Sequence, residues 1–182
     1  MKSRAFLILA SIAAVSAAPL TASEGSFKKG PVFTEFGPVA PVEGALTVPS
    51  TTAFKVAFDV AAPADAGKLN RTIESAARFI NMHVAAGIDE KNIDLAIVVH
   101  GGAALDLTTA NFYSAKKDGA QNGNIEAIRQ LQAHGVKLYL CGQSAAAHGI
   151  AKSDLLPGVE ISLSAMTAHA VLQQQGYTLN PF

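Results

Sequence analysis

Cysteine is almost absent from this chain: Cys141 is the only one in 182 residues. A lone cysteine excludes an intramolecular disulfide and a cysteine-built structural zinc site. Three states remain for its thiol: an inert buried group, an intermolecular bridge or a reactive centre. Tryptophan is missing altogether, and charged residues make up only 15% of the chain. Lys plus Arg equals Asp plus Glu at 14 each, so no global field draws the protein to nucleic acid or to an anionic membrane. The phosphate fingerprints are lacking too: there is no G-x-x-x-x-G-K-[ST], and no G-x-G-x-x-G follows a strand pattern. The five histidines include no H-x-x-x-H pair, and no two carboxylates are placed for glycosidase chemistry. We therefore expect no bound metal and no cofactor.

Long apolar runs are scarce, and the one that stands out opens the chain. Met1-Lys2-Ser3-Arg4 is a short basic start, residues 5–15 are apolar and uncharged, and Val15-Ser16-Ala17 offers the small residues a signal peptidase needs. Leu20-Thr21-Ala22 is a second cleavage position. Residues 1–22 are read as a signal peptide, which makes the protein periplasmic; an uncleaved anchor is the alternative. The run is too short to span a bilayer, and no later stretch qualifies, so no membrane span is expected in the mature form.

What is present suits one compact domain, at 49% hydrophobic residues. Residues 23–52, punctuated by Gly30-Pro31, Gly37-Pro38 and Ala40-Pro41, read as an extended arm that wraps the domain or a neighbouring subunit, with Phe33, Phe36 and Val39 as anchors. A disordered leader is the other reading of that composition. The domain proper is expected over 53–182. A strand is expected over 53–60, then an amphipathic helix over 69–86 with Leu69, Ile73, Ala76, Ala77, Ile80 and Val84 at helical spacing and Gly87 at its end. The branched run 94–100 is a strand buried on both faces. Residues 105–115 are a helix or a partly helical loop, and Asn124 caps a helix that Gly135 closes. A third strand at 136–140 runs into a small-residue helix. A fourth strand follows at 159–163, then a helix capped by Ser164, and a last short strand at 177–179. Strands alternating with helices predict a three-layer α/β/α fold with a mainly parallel sheet of about five strands.

In such folds ligands gather beyond the C-terminal ends of the strands. Two of those ends carry polar chemistry: His100-Gly101-Gly102 after the second strand and Cys141-Gly142-Gln143-Ser144 after the third. Glycines let the backbone approach a ligand, and the helix that follows Cys141 points its N–H groups at the sulfur, which lowers a thiol's pKa. Cys141 and His100 are the candidate catalytic pair, with Gly101, Gly102, Gly142, Gln143 and Ser144 as candidate binding residues. A packed, unreactive thiol is the competing reading of Cys141, and a ring nitrogen tied to a loop carbonyl that of His100. His148 falls two turns beyond Cys141 and is read as structural. His83 and His169 are placed on helices, and His134 near a helix end where a cation suits the dipole. Asp59 is expected to be an edge or loop residue facing solvent, and Asp106 to begin a helix.

Three stretches together resemble the DsrE/DsrF-like family. They are Leu95-Ala96-Ile97-Val98-Val99-His100-Gly101-Gly102, then His134-Gly135-Val136-Lys137-Leu138-Tyr139-Leu140-Cys141-Gly142-Gln143-Ser144, and the ending Leu172-Gln173-Gln174-Gln175-Gly176-Tyr177. The resemblance spans roughly residues 54–177. It implies a small α/β/α fold that assembles into homo-oligomers, and a cysteine, here Cys141 by position, that carries sulfur as a persulfide between a donor and an acceptor protein. The export signal and the arm depart from that pattern, because the best-understood members work in the cytoplasm. A non-enzymatic oligomer that binds a small ligand is the alternative, and a cysteine hydrolase ranks last for want of a visible group to orient His100.

Overall fold

The branched run in the middle of the sequence becomes the middle of the sheet. In the computed structural model, which describes residues 26–181, the expected 1–22 leader lies outside the described residues. β2 (Ile93–Val99) is buried along nearly its whole length, which is why it reads as Val, Ile, Leu and Ala without alternation. It pairs in parallel with β1 (Phe54–Val60) on one side and β3 (Lys137–Cys141) on the other. β4 (Val159–Ser162) and β5 (Thr178–Asn180) form the edges, giving the order β4-β3-β2-β1-β5 with all five strands parallel. Every strand therefore delivers its C-terminal end to the same rim. Among the described residues no helix is long and apolar enough to cross a membrane.

Two layers of unequal weight cover this sheet. On one face lie α1 (Arg71–Ala85), α2 (Ala110–Lys116) and α3 (Ile125–Ala133), over a core that includes Ile73, Ile80, Leu95, Ile97, Leu131 and Leu138. α1 forms where its apolar residues recur at helical spacing, with Asn70 accepting from the Thr72 N–H at 2.9 Å and Gly87 at φ +90° beyond its end. The other face carries α5 (Ala165–Gln174) alone, over a smaller cluster of Ala57, Ala96, Val98, Cys141, Ala165, Ala168, Leu172 and Tyr177. Ser164 caps this helix by accepting from the Thr167 N–H at 3.0 Å.

The segment before β1 folds back on α1 of its own domain. Lys28 and Val39 exchange backbone hydrogen bonds of 2.8 and 2.9 Å, which closes a loop with Phe33 fully buried inside it and Phe36 and Val39 half-buried. The buried Asn81 amide holds the loop: its Oδ1 accepts from the Val32 and Phe33 N–H groups, and its Nδ2 donates to the Phe33 and Gly37 carbonyls. Gly30 is required here, since any Cβ would overlap that amide.

A buried polar network fixes the rim from the larger layer. Asp106 does not begin a helix; it lies near the end of a 3-10 segment, Gly101–Leu107, with no exposed surface. Its Oδ2 accepts from Asn70 Nδ2 at 2.7 Å and from the Ala64 N–H at 2.9 Å. Nor does Asn124 cap α3 with its side chain. Its Oδ1 instead accepts from the Asn70 N–H at 2.7 Å and its Nδ2 donates to Asn122, because the loop before α1 offers a buried donor that would otherwise be orphaned. Asn122 in turn donates to the Asp106 and Thr108 carbonyls.

Asp106 Oδ1 finds no partner among the described residues. Burial, opposed by the bonds from Asn70 and Ala64, holds the carboxyl above its usual range. The folded protein thus binds this proton more tightly than the unfolded chain, so the ionisation cost is absent below about pH 3.9 and grows as pH rises through the folded-state value. Asp106→Asn keeps the shape and one acceptor oxygen without the charge. Urea unfolding from pH 3.5 to 8 is expected to give an advantage of Asp106→Asn over wild type that is smallest at the acid end and increases with pH.

Candidate functional site

Side chains on alternate residues of a strand share a face, so Ala57 and Asp59 on β1, Ala96 and Val98 on β2, and Tyr139 and Cys141 on β3 all project toward α5. Cys141 is the last residue of β3 and the cap position of α4 (Gly142–His148). The turn is tight because Gly142 lies against the β4–α5 connection: a Cβ there would sit 2.6 Å from the Ser162 carbonyl oxygen. Gln143 Nε2 donates to the Leu163 carbonyl at 3.2 Å, which ties the start of α4 to the same connection.

The two glycine-bearing strand ends meet through Ser144. Its Oγ accepts from the Gly101 N–H at 2.9 Å, and Gly101 itself has φ +57°, a conformation that favours glycine. One turn on, His148 Nε2 donates to the Gly101 carbonyl at 3.0 Å, so α4 grips this residue from both sides. Gly102 has a packing role: a Cβ would meet the Pro63 ring at 3.2 Å.

Cys141 is 5% exposed. Burial pushes its thiol up, but the Ser144 hydroxyl and the N–H groups of Ser144, Ala165 and Gln143 favour the thiolate more strongly, and the thiol is held below its ordinary value. Gln143 and Ser144 belong to the start of α4 and Ala165 to the start of α5, so the positive ends of two helices converge on one sulfur. Ser144 is well suited to this: with its oxygen accepting from Gly101, its single proton is free for the sulfur.

His100 is not bonded to Cys141. Its Nε2 donates to Asp59, at 3.1 and 3.2 Å from the two carboxylate oxygens. His169 of α5 donates its Nε2 to Asp59 Oδ1 at 2.7 Å. Burial pushes the Asp59 carboxyl up, yet the bonds from His169 and His100 prevail and hold it below the usual carboxylate range. Asp59 is thus not at a sheet edge: β1 lies inside the sheet, and the half-buried carboxylate is shared between two imidazoles. Sequence reasoning missed both Asp59 and His169 as members of the site. The parity of β1 places Asp59 on the face of Ala57, but only the strand order brings His100 and α5 to it. Among the described residues, no group of three His, Cys, Asp or Glu side chains is arranged to hold a metal ion.

The DsrE/DsrF-like family model matches residues 55–181. Among solved structures, the chain is similar to the ychN protein from E. coli, with 18% identity and a TM-score of 0.52 over 71% of this chain and 99% of that one. It is also similar to MTH1491 from Methanobacterium thermoautotrophicum, a protein of unknown function, with 18% identity and a TM-score of 0.48 over the same shares of each chain. At this identity the likeness to ychN concerns the fold alone. No curated protein matches the chain.

Ser144→Ala removes the one side-chain hydroxyl that favours the Cys141 thiolate and leaves the Gly101 N–H without its acceptor. Thiolate absorbance followed against pH is expected to give a higher apparent thiol pKa in Ser144→Ala than in wild type.

Proposed function

The chain belongs to the DsrE/DsrF-like family, and from that premise and the surroundings of its cysteine we propose that it is a sulfur carrier that holds sulfur as a persulfide on Cys141. The observation that carries this reading is the place of Cys141 at the end of β3, where α4 begins and the start of α5 packs against it, with nearby hydroxyl and N–H groups holding its thiol below the ordinary value. Two balanced steps suffice. The Cys141 thiolate attacks the outer sulfur of a donor persulfide, the S–S bond of the donor breaks, and its electron pair leaves with the donor thiolate. A second thiolate then attacks the outer sulfur on Cys141, which regenerates the Cys141 thiolate and moves the persulfide to the acceptor. No net oxidant or reductant is consumed in either step. In this reading Ser144 and Gln143 favour the anionic sulfur, Gly142 allows the tight turn beside it, Gly101 engages the Ser144 oxygen, and Gly102 and His100 hold that turn in place through Pro63 and Asp59.

The setting belongs to the same proposal. A basic and then apolar start supports export to the periplasm, where the donor or acceptor is another protein. Leu163, Met166 and Val171, exposed beside the rim and along α5, support assembly with further copies of the chain. Cleavage of the leader gives a mature N-terminus at Ala18 or Ser23 on sequencing of the protein recovered from the periplasm; an N-terminus at Met1 would favour the uncleaved anchor.

A second reading is favoured by the 5% exposure of Cys141: an oligomeric protein that binds a small ligand and uses this cysteine for packing. The two are separated by mass. Incubation of the mature protein with inorganic polysulfide is expected to add one or more sulfur atoms that a reductant removes, and Cys141→Ser is expected to add none. An unmodified wild type, or equal gain by Cys141→Ser, would favour the packing role. Under that role, native alkylation stays slow and accelerates only on unfolding.

A further inference from the structure

Three ionisable side chains that meet near the rim have no part in the two sulfur-transfer steps. Asp59 comes from β1, His100 follows β2, and His169 lies on α5. Their meeting is tight: His169 Nε2 lies 2.7 Å and His100 Nε2 3.1 Å from the same carboxylate oxygen. His169 Nδ1 is buried with no partner among the described residues, so the bond to Asp59 is what its ring contributes.

Each histidine belongs to an element that brings donors to Cys141. His100 immediately precedes Gly101, whose N–H occupies the Ser144 oxygen and so leaves the hydroxyl proton for the sulfur. His169 stands four residues after Ala165, on the same side of α5, and the Ala165 N–H is one of the groups that favour the thiolate. Asp59 itself stays clear of the sulfur. It lies level with Val98 and Tyr139 in the register, two strands from β3 and one pleat below Cys141, so two strand spacings, about 10 Å, separate the strands that carry them.

We propose that Asp59 is the positioning residue of the Cys141 site, its one carboxylate holding the His100–Gly101 turn against Ser144 and the start of α5 beside the sulfur. The proposal rests on the reading of Cys141 as a nucleophilic thiolate. Competing charges lie elsewhere: Lys137 is bound to Asp94 and Tyr177 toward the other end of the strands, with Lys55 nearby, Tyr139 and Glu160 lie between, and His148 is engaged with the Gly101 carbonyl.

The positioning role and a direct electrostatic role predict opposite signs. Removing a negative charge near a thiol lowers the thiol pKa, whereas removing the clamp withdraws donors from the sulfur and raises it. The test is the rate of iodoacetamide labelling of Cys141 against pH in the full mature chain, for wild type, Asp59→Ala, Asp59→Asn and His169→Leu, with circular dichroism to select folded protein. Asp59→Ala is expected to move the midpoint to higher pH, with about three- to tenfold less of the thiol ionised at a pH below both midpoints, and the midpoint rather than the plateau rate is the readout because release of α5 also uncovers the sulfur. Asp59→Asn, which keeps one acceptor oxygen, shifts in the same direction by less. His169→Leu releases α5 alone and gives a shift upward even if Asp59→Ala does not fold. A low wild-type midpoint with unchanged or lowered midpoints in the folded variants would overturn this inference and leave the sulfur-carrier reading standing. A wild-type midpoint at the ordinary thiol value would overturn both.

Discussion

Asp106 has no contact with water, yet its Oδ2 accepts from the Asn70 side chain and the Ala64 backbone, and Asn70 is joined in turn to Asn124 and Asn122. Through these bonds the turn after β1, the start of α1, the 3-10 segment after β2 and the start of α3 become one piece. Hydrogen bonds to a charged group contribute about 1.5–3 kcal/mol each, and a buried polar group left without a partner costs a comparable amount. Each member of the network is therefore held by the penalty its loss would impose on the others. The 3-10 segment begins at Gly101, so the residue that meets Ser144 inherits its position from this network.

The opposite face is built on a different principle. Its buried cluster has eight residues, four of them alanine, and alanine brings little apolar area to hold a helix down. Polar bonds do much of that work. Lys137 donates to Asp94 and to the Tyr177 hydroxyl, and Lys55 donates to the Gln175 carbonyl, at the base of α5. Asp59 receives His169 nearer its top. Small side chains at the sheet surface also let the start of α5 pack close, with Ala165 and Cys141 in the same buried cluster.

How much of this the sequence disclosed follows the range of the interactions. The buried central strand, the capped helices and the placing of Cys141 at a strand-to-helix joint depend on neighbours a few residues away, and they are legible as apolar runs, cap residues and glycines. The pairing of the Gly101 and Ser144 turns was legible as well, because a parallel sheet sends both strand ends to one rim. Asp59 and His169 are 110 residues apart, and Asn70 and Asn124 are 54 apart. For such pairs the local rule gave the wrong partner. An aspartate late in a strand reads as solvated, and an asparagine before a helix reads as its cap, unless something distant in the chain supplies a better hydrogen bond.

A lowered thiol pKa and a cysteine only 5% exposed look contradictory for a reactive thiol, but the two have one cause. Neutral donors favour a thiolate only by pointing at it, and groups that point at a sulfur also cover it. In a site made this way, access requires that part of the cover move while the rest keeps the charge stabilised. The two helix starts differ in how they are tied. That of α4 is continuous with β3 and gripped through Gly101 by Ser144 and His148. That of α5 is held at the cysteine end by the Ser164 cap, the Gln143–Leu163 bond and the Asp59–His169 bond, while Leu163 and Met166 on either side of the cap are largely exposed, at 73% and 79%. Moving Ala165 would uncover the sulfur while Gln143 and Ser144 stay in place, but it would also take away one of the N–H groups that favour the thiolate, so in this site exposure and charge stabilisation trade against each other.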